Sequence, residues 1–166
     1  GLLGFILFFS RISMYTYIAD LLTLTGTGVQ AGGVLSLAGL GGLFAGPVAG
    51  YLTDKVGRHK ALLTGLLLSA VALSTFLIPG MPALPALVFF MGFSVTHAFT
   101  SLNTIAIEIE PKYRATVASV YGSIRFLGYA FGPPLAYPLY AAFSLPGVAL
   151  AGMISVLVGL LLARML

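Results

Sequence analysis

Two arginines set deep in apolar sequence are the first residues that ask for a chemical role. Arg11 lies within Phe8-Phe9-Ser10-Arg11-Ile12-Ser13, and Arg125 within Tyr121-Gly122-Ser123-Ile124-Arg125-Phe126. A guanidinium is permanently charged, presents its N–H donors in a planar fork, and matches a carboxylate or phosphate through paired hydrogen bonds. Tyr15 follows Arg11 by four residues, while Tyr121 and Tyr129 stand one turn before and after Arg125, so each cation has a phenol on its own helical face. His97 occupies a third apolar run with Ser94, Ser101 and Thr104 at spacings of three and four, a polar face that Thr96, Thr100 and Asn103 widen. An imidazole titrates near neutrality and suits proton transfer. Together these residues point to the binding of a small anion, with a proton as its companion.

Each residue also has a plainer role open to it. Arg11 can pair with a carboxylate outside this sequence or, through the neighbouring aromatics, with Asp20. Arg125 can simply be held by its two tyrosines through hydrogen bonds and cation–π contact. His97 can be an interior histidine satisfied by a neighbour.

These side chains must be positioned by elements that live in lipid. With 59% hydrophobic and 7% charged residues, the chain lacks the polar surface of a soluble domain and reads as an all-α integral membrane protein. Its net charge of +4 is too sparse and dispersed to track a nucleic-acid backbone, so no nucleic acid is expected as partner. The absence of cysteine removes disulfides and thiolate metal sites, and neither cofactor nor metal is called for. No charged leader precedes the first apolar run, which is therefore not a signal peptide, and a start at Gly1 in mid-helix is expected of an excerpt from a longer chain.

Crossing about 30 Å of hydrocarbon takes roughly 20 apolar residues. Runs at 1–22, 29–52, 61–79, 84–109, 113–140 and 146–165 qualify, giving one six-helix bundle over residues 1–166. Helices are required because an unpaired backbone group in lipid is prohibitively costly. Turns are expected at Gly26 and Gly28, at Pro79-Gly80-Met81-Pro82, at Pro111 and at Pro146-Gly147. If the spans alternate, Lys55, Arg58, Lys60, Lys112, Arg114 and Arg164 share one face, while the loops at 23–28, 79–83 and 141–146 carry no Lys or Arg. The charged face and both ends of the chain are thus expected in the cytoplasm, with the bilayer being a plasma (inner) membrane. Arg11, His97 and Arg125 each fall about eleven residues from a helix end, roughly 16 Å deep, at the level of a central binding site.

Local features complete the expected bundle. Ala38, Gly42, Gly46 and Gly50 recur at intervals of four as a close-packing stripe. Pro47 is expected to bend the second span, and Pro133-Pro134 to kink or unwind the fifth. The third and sixth spans, nearly all Leu, Ala and Val, read as facing lipid.

The one dense run of charge is Gly50-Tyr51-Leu52-Thr53-Asp54-Lys55-Val56-Gly57-Arg58-His59-Lys60, between the second and third spans. It resembles the loop signature of the major facilitator superfamily, G-x-L-a-D-r-x-G-r-k-k. Gly50, Leu52, Asp54, Gly57, Arg58 and Lys60 match, and Lys55 and His59 are mild variants. The resemblance implies two six-helix halves around a central cavity, lined in each half by the first, second, fourth and fifth helices. It implies that Asp54 docks on a helix of the opposite half to close the cytoplasmic gate, and that Arg58 joins a charge relay with Glu108 or Glu110. The implied function is secondary active transport of a small solute by alternating access, with Arg11, Tyr15, His97, Ser101, Tyr121, Arg125 and Tyr129 as candidate substrate contacts. Broad-specificity drug efflux by proton antiport is the alternative, favoured by the many aromatics. No arginine occurs in 89–103, and Arg125-Phe126-Leu127-Gly128 followed by Gly132-Pro133-Pro134 resembles the eleventh helix of efflux-type members, so the C-terminal half is expected.

Other classes fit poorly. No G-x-x-x-x-G-K-[ST] occurs for nucleotide hydrolysis. An intramembrane serine protease needs a Gly-x-Ser-Gly context that is missing, and Ser94 and His97 share one helix too closely for a dyad. A channel calls for a carbonyl filter or an arginine-rich sensor helix, and neither occurs. The chain is not expected to be an enzyme.

Overall fold

The computed structural model describes residues 1–26, 28–78, 83–108 and 110–165. The turn expected at Pro79-Gly80-Met81-Pro82 lies outside them. The apolar runs form α1 (Leu2–Leu24), α2 (Gly28–Val56), α3 (Arg58–Ser74), α4 (Leu84–Glu108) and α5 (Arg114–Ala163), with short 3-10 turns at Thr75–Leu77 and Pro111–Tyr113. All five helices are long and apolar enough to cross a membrane. Unbroken, the 50 residues of α5 would extend about 75 Å, more than twice the thickness of the hydrocarbon. Ser144, at φ 55 and ψ −153, breaks it, and the chain folds back so that Gly147 sits against the carbonyl oxygen of Leu139 and the Cβ of Phe143. α5 therefore contributes two crossings, an ascending arm (114–143) and a returning arm (145–163).

The break falls within the turn expected at 141–146, two residues before Pro146. Pro133, Pro134 and Pro138 all keep helical dihedrals inside the ascending arm, against the expectation of a local unwinding there. Each proline removes one N–H from the ladder, and a packed neighbour can support the helix without it. Here α1 packs along this stretch: Gly132 rests on Ile12 and Ser13, and the Tyr17 hydroxyl donates to the Pro133 carbonyl at 2.5 Å. Pro47 is likewise accommodated within a continuous α2.

The signature is more helical than a loop. Both helices run into it, to Val56 and from Arg58, rather than stopping at 52 and restarting at 61. Gly57 alone reverses the chain, at φ 93 and ψ 151, a region closed to residues with a Cβ. Its carbonyl accepts the Ala61 N–H at 3.0 Å and opens α3. Asp54 and Lys55 thus end α2, while Arg58, His59 and Lys60 begin α3.

Glycines set the packing. Gly128 rests on the Phe5 carbonyl and Gly132 on Ile12 and Ser13, which brings the ascending arm alongside α1. On the other side of α1, Gly152 meets Ser10 and Gly159 meets Leu3 and Ile6, which seats the returning arm. α2 and α4 use the same device reciprocally, since a Cβ on Gly41 would collide with the Phe89 carbonyl and one on Gly92 with the Ala38 carbonyl. The stripe on α2 that packs is accordingly Ala38, Gly41, Ala45 and Ala49, with Gly42 against Thr96. Gly46 and Gly50, expected in that stripe, meet nothing within 4 Å.

The core between the helices holds Leu7, Met14, Ile18, Leu62, Leu66, Phe76, Met91, Val148 and Val156, all fully buried. α3 is not simply a lipid-facing helix: one side, from Ala61 and Leu62 to Ala72 and Leu73, is buried, while Leu67 and Val71 point outward. α2 instead leaves a broad apolar face uncovered, with Leu40, Leu43, Phe44, Val48 and Tyr51 exposed.

Candidate functional site

Arg11 from α1 and Arg125 from the ascending arm line one cavity of about 590 Å³. Phe8, Thr96, Phe99, Phe126 and Tyr129 complete its wall. Phe8 stands between the cations: its ring centroid is 5.9 Å from the Arg11 guanidinium carbon and 5.1 Å from that of Arg125. The two guanidinium carbons are therefore no farther apart than those distances combined. Phe99 and Phe126 add ring contacts to Arg125 at 5.1 and 4.9 Å, and Tyr15 adds one to Arg11 at 5.3 Å.

Cation–π contacts compensate a desolvated guanidinium only in part, by about 0.5–2 kcal/mol each. Neither arginine has a carboxylate partner, because the one ion pair among the described residues is Arg58–Glu108. The Nε of Arg125 is buried and without a hydrogen-bond partner. Two half-buried cations on one wall, one holding an idle donor, leave room for an anion to complete the charge balance.

The candidate contacts divide accordingly. Arg11, Arg125 and Tyr129 line the cavity, with the Tyr129 ring 5.0 Å from that of Phe8, and Tyr15 flanks Arg11. Tyr121 is buried toward the charged end against Gly4, its ring stacked on Phe99 at 6.3 Å and its hydroxyl unpartnered. His97 and Ser101 lie elsewhere, on the side of α4 turned to α2 and α3. His97 is 1% exposed and its Nε2 is 3.1 Å from Thr64 Oγ1, while Ser101 Oγ is 3.3 Å from Thr53 Oγ1. Because the Thr64 hydroxyl gives its proton to the Ala61 carbonyl at 2.8 Å, it accepts from His97, which places the imidazole proton on Nε2. α4 offers the cavity Thr96 and Phe99 instead. The face carrying Ser94, His97 and Ser101 serves helix packing, since small and hydrogen-bonding side chains let helices approach in lipid.

Phe8, Phe99 and Phe126 escaped the sequence reading, and Thr96 was read only as widening the polar face of His97. Phe8 had a signal, since it precedes Arg11 by three residues and shares its face.

At the charged end, Arg58 Nη1 and Glu108 Oε2 are 2.6 Å apart, so Glu108 rather than Glu110 takes up Arg58. Glu110 and Lys60 are exposed. Asp54 borders a small concavity of about 350 Å³ with Thr53, Gly57 and Arg58, and makes no ion pair among the described residues. Lys55 donates to the Tyr51 hydroxyl at 3.0 Å. At the opposite end Asp20 accepts from Tyr140 at 2.7 Å, and Tyr140 stacks on Tyr17 with centroids 4.2 Å apart. Asp20 is thus engaged with a tyrosine and is not the counterion of Arg11.

No curated protein matches the chain. The model of the Major Facilitator Superfamily, a family of membrane transporters rather than enzymes, matches residues 1–166. With all-helical membrane-spanning architecture and a family match over its full length, this chain belongs to the Major Facilitator Superfamily.

Proposed function

We propose that this chain forms one six-helix half, the C-terminal one, of a secondary active transporter that carries a small organic anion by alternating access. The observation that carries the reading is the pair Arg11 and Arg125, set around one phenylalanine ring and without a carboxylate partner among the described residues. An anion entering the cavity accepts charge-assisted hydrogen bonds from both forks and supplies the missing countercharge. The charged end, carrying Gly50, Asp54, Gly57, Arg58, Lys60, Glu108 and Glu110, faces the cytoplasm of a plasma membrane. The uncovered face of α2 receives the other half, on whose helix end Asp54 docks when the cytoplasmic gate closes. Gly46 and Gly50, open on this side, allow that close approach. A coupling proton, where one is used, is carried by a group of the other half, because His97 lies outside the cavity, against Thr64 of α3.

The test is Arg125→Lys in the full-length transporter reconstituted in liposomes. Lysine keeps the charge and loses the planar fork, so uptake of anionic solutes is expected to fall sharply. Undiminished uptake of every anionic candidate would sink the reading. The aromatic wall favours one rival, efflux of neutral or cationic drugs, and that activity would hardly respond to the same change.

A further inference from the structure

Resting on the anion reading, we infer that the substrate is a carboxylate with an aromatic or bulky apolar body, rather than phosphate, a phosphorylated sugar or a short hydrophilic acid.

The inference comes from what surrounds the two cations. Around Arg125 the neighbours are ring faces, Phe8, Phe99 and Phe126, and around Arg11 they are Phe8 and Tyr15. Ring contacts use none of the directional hydrogen bonds of a guanidinium, neither arginine makes an ion pair among the described residues, and the Nε of Arg125 has no hydrogen-bond partner, so donors remain for an acceptor. Beyond those forks the neutral polar groups on this wall are the hydroxyls of Thr96 and Tyr129. A phosphate dianion needs many donors to replace its water, and a polyol needs a donor or acceptor for every hydroxyl. An unpaired polar group left in such a site costs about 1–3 kcal/mol. A carboxylate asks for much less, and a ring attached to it finds edges and faces of Phe8, Phe99, Phe126 and Tyr129. Aromatic pairs add about 0.5–1.5 kcal/mol beyond the area they bury. A volume near 590 Å³ accommodates a bicyclic acid.

The position of Phe126 sharpens the point. It caps Arg125 from the adjacent residue and meets the Tyr129 ring at 5.8 Å, yet is 58% exposed on this half, so part of its ring remains open beside the cation.

The experiment is calorimetric titration of the full-length transporter in nanodiscs with 1-naphthoate, acetate, inorganic phosphate and the neutral isostere 1-naphthamide. Naphthoate is expected to bind at least about thirtyfold more tightly than acetate or phosphate, from burial of the bicyclic surface. Phe126→Leu is expected to weaken naphthoate about tenfold more than acetate, and Phe99→Leu to do the same. Because Phe126 is exposed, its variant folds even where Phe99→Leu does not. Phosphate or acetate binding as tightly as naphthoate, with Arg125→Lys weakening all of them, overturns the substrate class and leaves the anion reading standing. Naphthamide binding as well as naphthoate, with Arg125→Lys having no effect, overturns both. Absence of binding by all four overturns the substrate class and leaves the anion reading to the uptake test of Arg125→Lys.

Discussion

Arg58 and Glu108 join the start of α3 to the end of α4 at 2.6 Å, immediately beside the glycine on which the chain reverses. Both side chains are substantially exposed, at 54% and 36%, so the pair contributes no more than about 1 kcal/mol to stability. On the proposed function its role belongs to the gate instead. Glu108→Gln is expected to leave the melting temperature within a few degrees of the parent while slowing initial uptake severalfold. Arg58→Glu should be worse, since it sets two carboxylates together, and Arg58→Glu with Glu108→Arg should restore much of the rate. Uptake in proteoliposomes decides it: a double variant no better than Arg58→Glu would mean that the pairing is unimportant to transport.

Gly57 bears the whole reversal between α2 and α3. Alanine at φ 93 and ψ 151 is strained by about 1–3 kcal/mol, and Gly57→Ala should lower the melting temperature and the yield of monodisperse protein. Asparagine tolerates the left-handed helical region, but ψ 151 lies outside it, so Gly57→Asn should rescue nothing. An asparagine variant as stable as the parent would show that the turn is not built this way.

The reciprocal glycines of α2 and α4 allow no added methyl. Gly92→Ala places its Cβ on the Ala38 carbonyl, and backbone cannot step aside as a flexible side chain can. A loss of about 1–3 kcal/mol is expected, read as a lower thermal midpoint in detergent. Gly152→Ala, whose nearest neighbour would be the Ser10 Cβ at 3.2 Å, should cost less. Equal midpoints for the two variants would contradict the packing described between α2 and α4.

His97 sits behind the cavity, against Thr64 of α3. His97→Gln, which keeps a donor near Thr64, should change anion affinity less than twofold while lowering stability by about 1 kcal/mol. Equilibrium binding together with a thermal melt separates the two effects. A tenfold loss of affinity in a variant of unchanged stability would return His97 to the binding site.

Much of this was legible in the sequence, and what was not has particular causes. Hydropathy alone specifies an all-helical membrane protein, and the string from Gly50 to Lys60 specifies the family, because fixed spacing of Gly, Asp and Arg is rare in such apolar surroundings. That Arg11 and Arg125 stand apart from lipid was also readable, since a charge at that depth demands a partner, and the two line one cavity. Which face of α4 meets the cavity was not. Ser94, His97 and Ser101 form the tidier polar stripe, yet polarity in lipid serves helix packing as well as ligands, and only the approach of Gly65 to Ala98 decides between them. The break in α5, at Ser144, falls inside the turn expected at 141–146, but the kink expected at Pro133-Pro134 does not form. Prolines announce themselves in sequence, yet a proline costs a helix one N–H and a packed neighbour can support the helix without it.

The central claim is that Arg11 and Arg125 hold the same anion. A double-mutant cycle of Arg11→Lys and Arg125→Lys, measured as the dissociation constant of 1-naphthoate and of benzoate for the full-length transporter, tests it most directly. Two forks on one carboxylate act as a unit, so the single losses should fail to add by at least about 1 kcal/mol. Additivity to within about 0.3–0.5 kcal/mol would mean that the two arginines serve separate purposes, and the shared site around Phe8 would have to be given up.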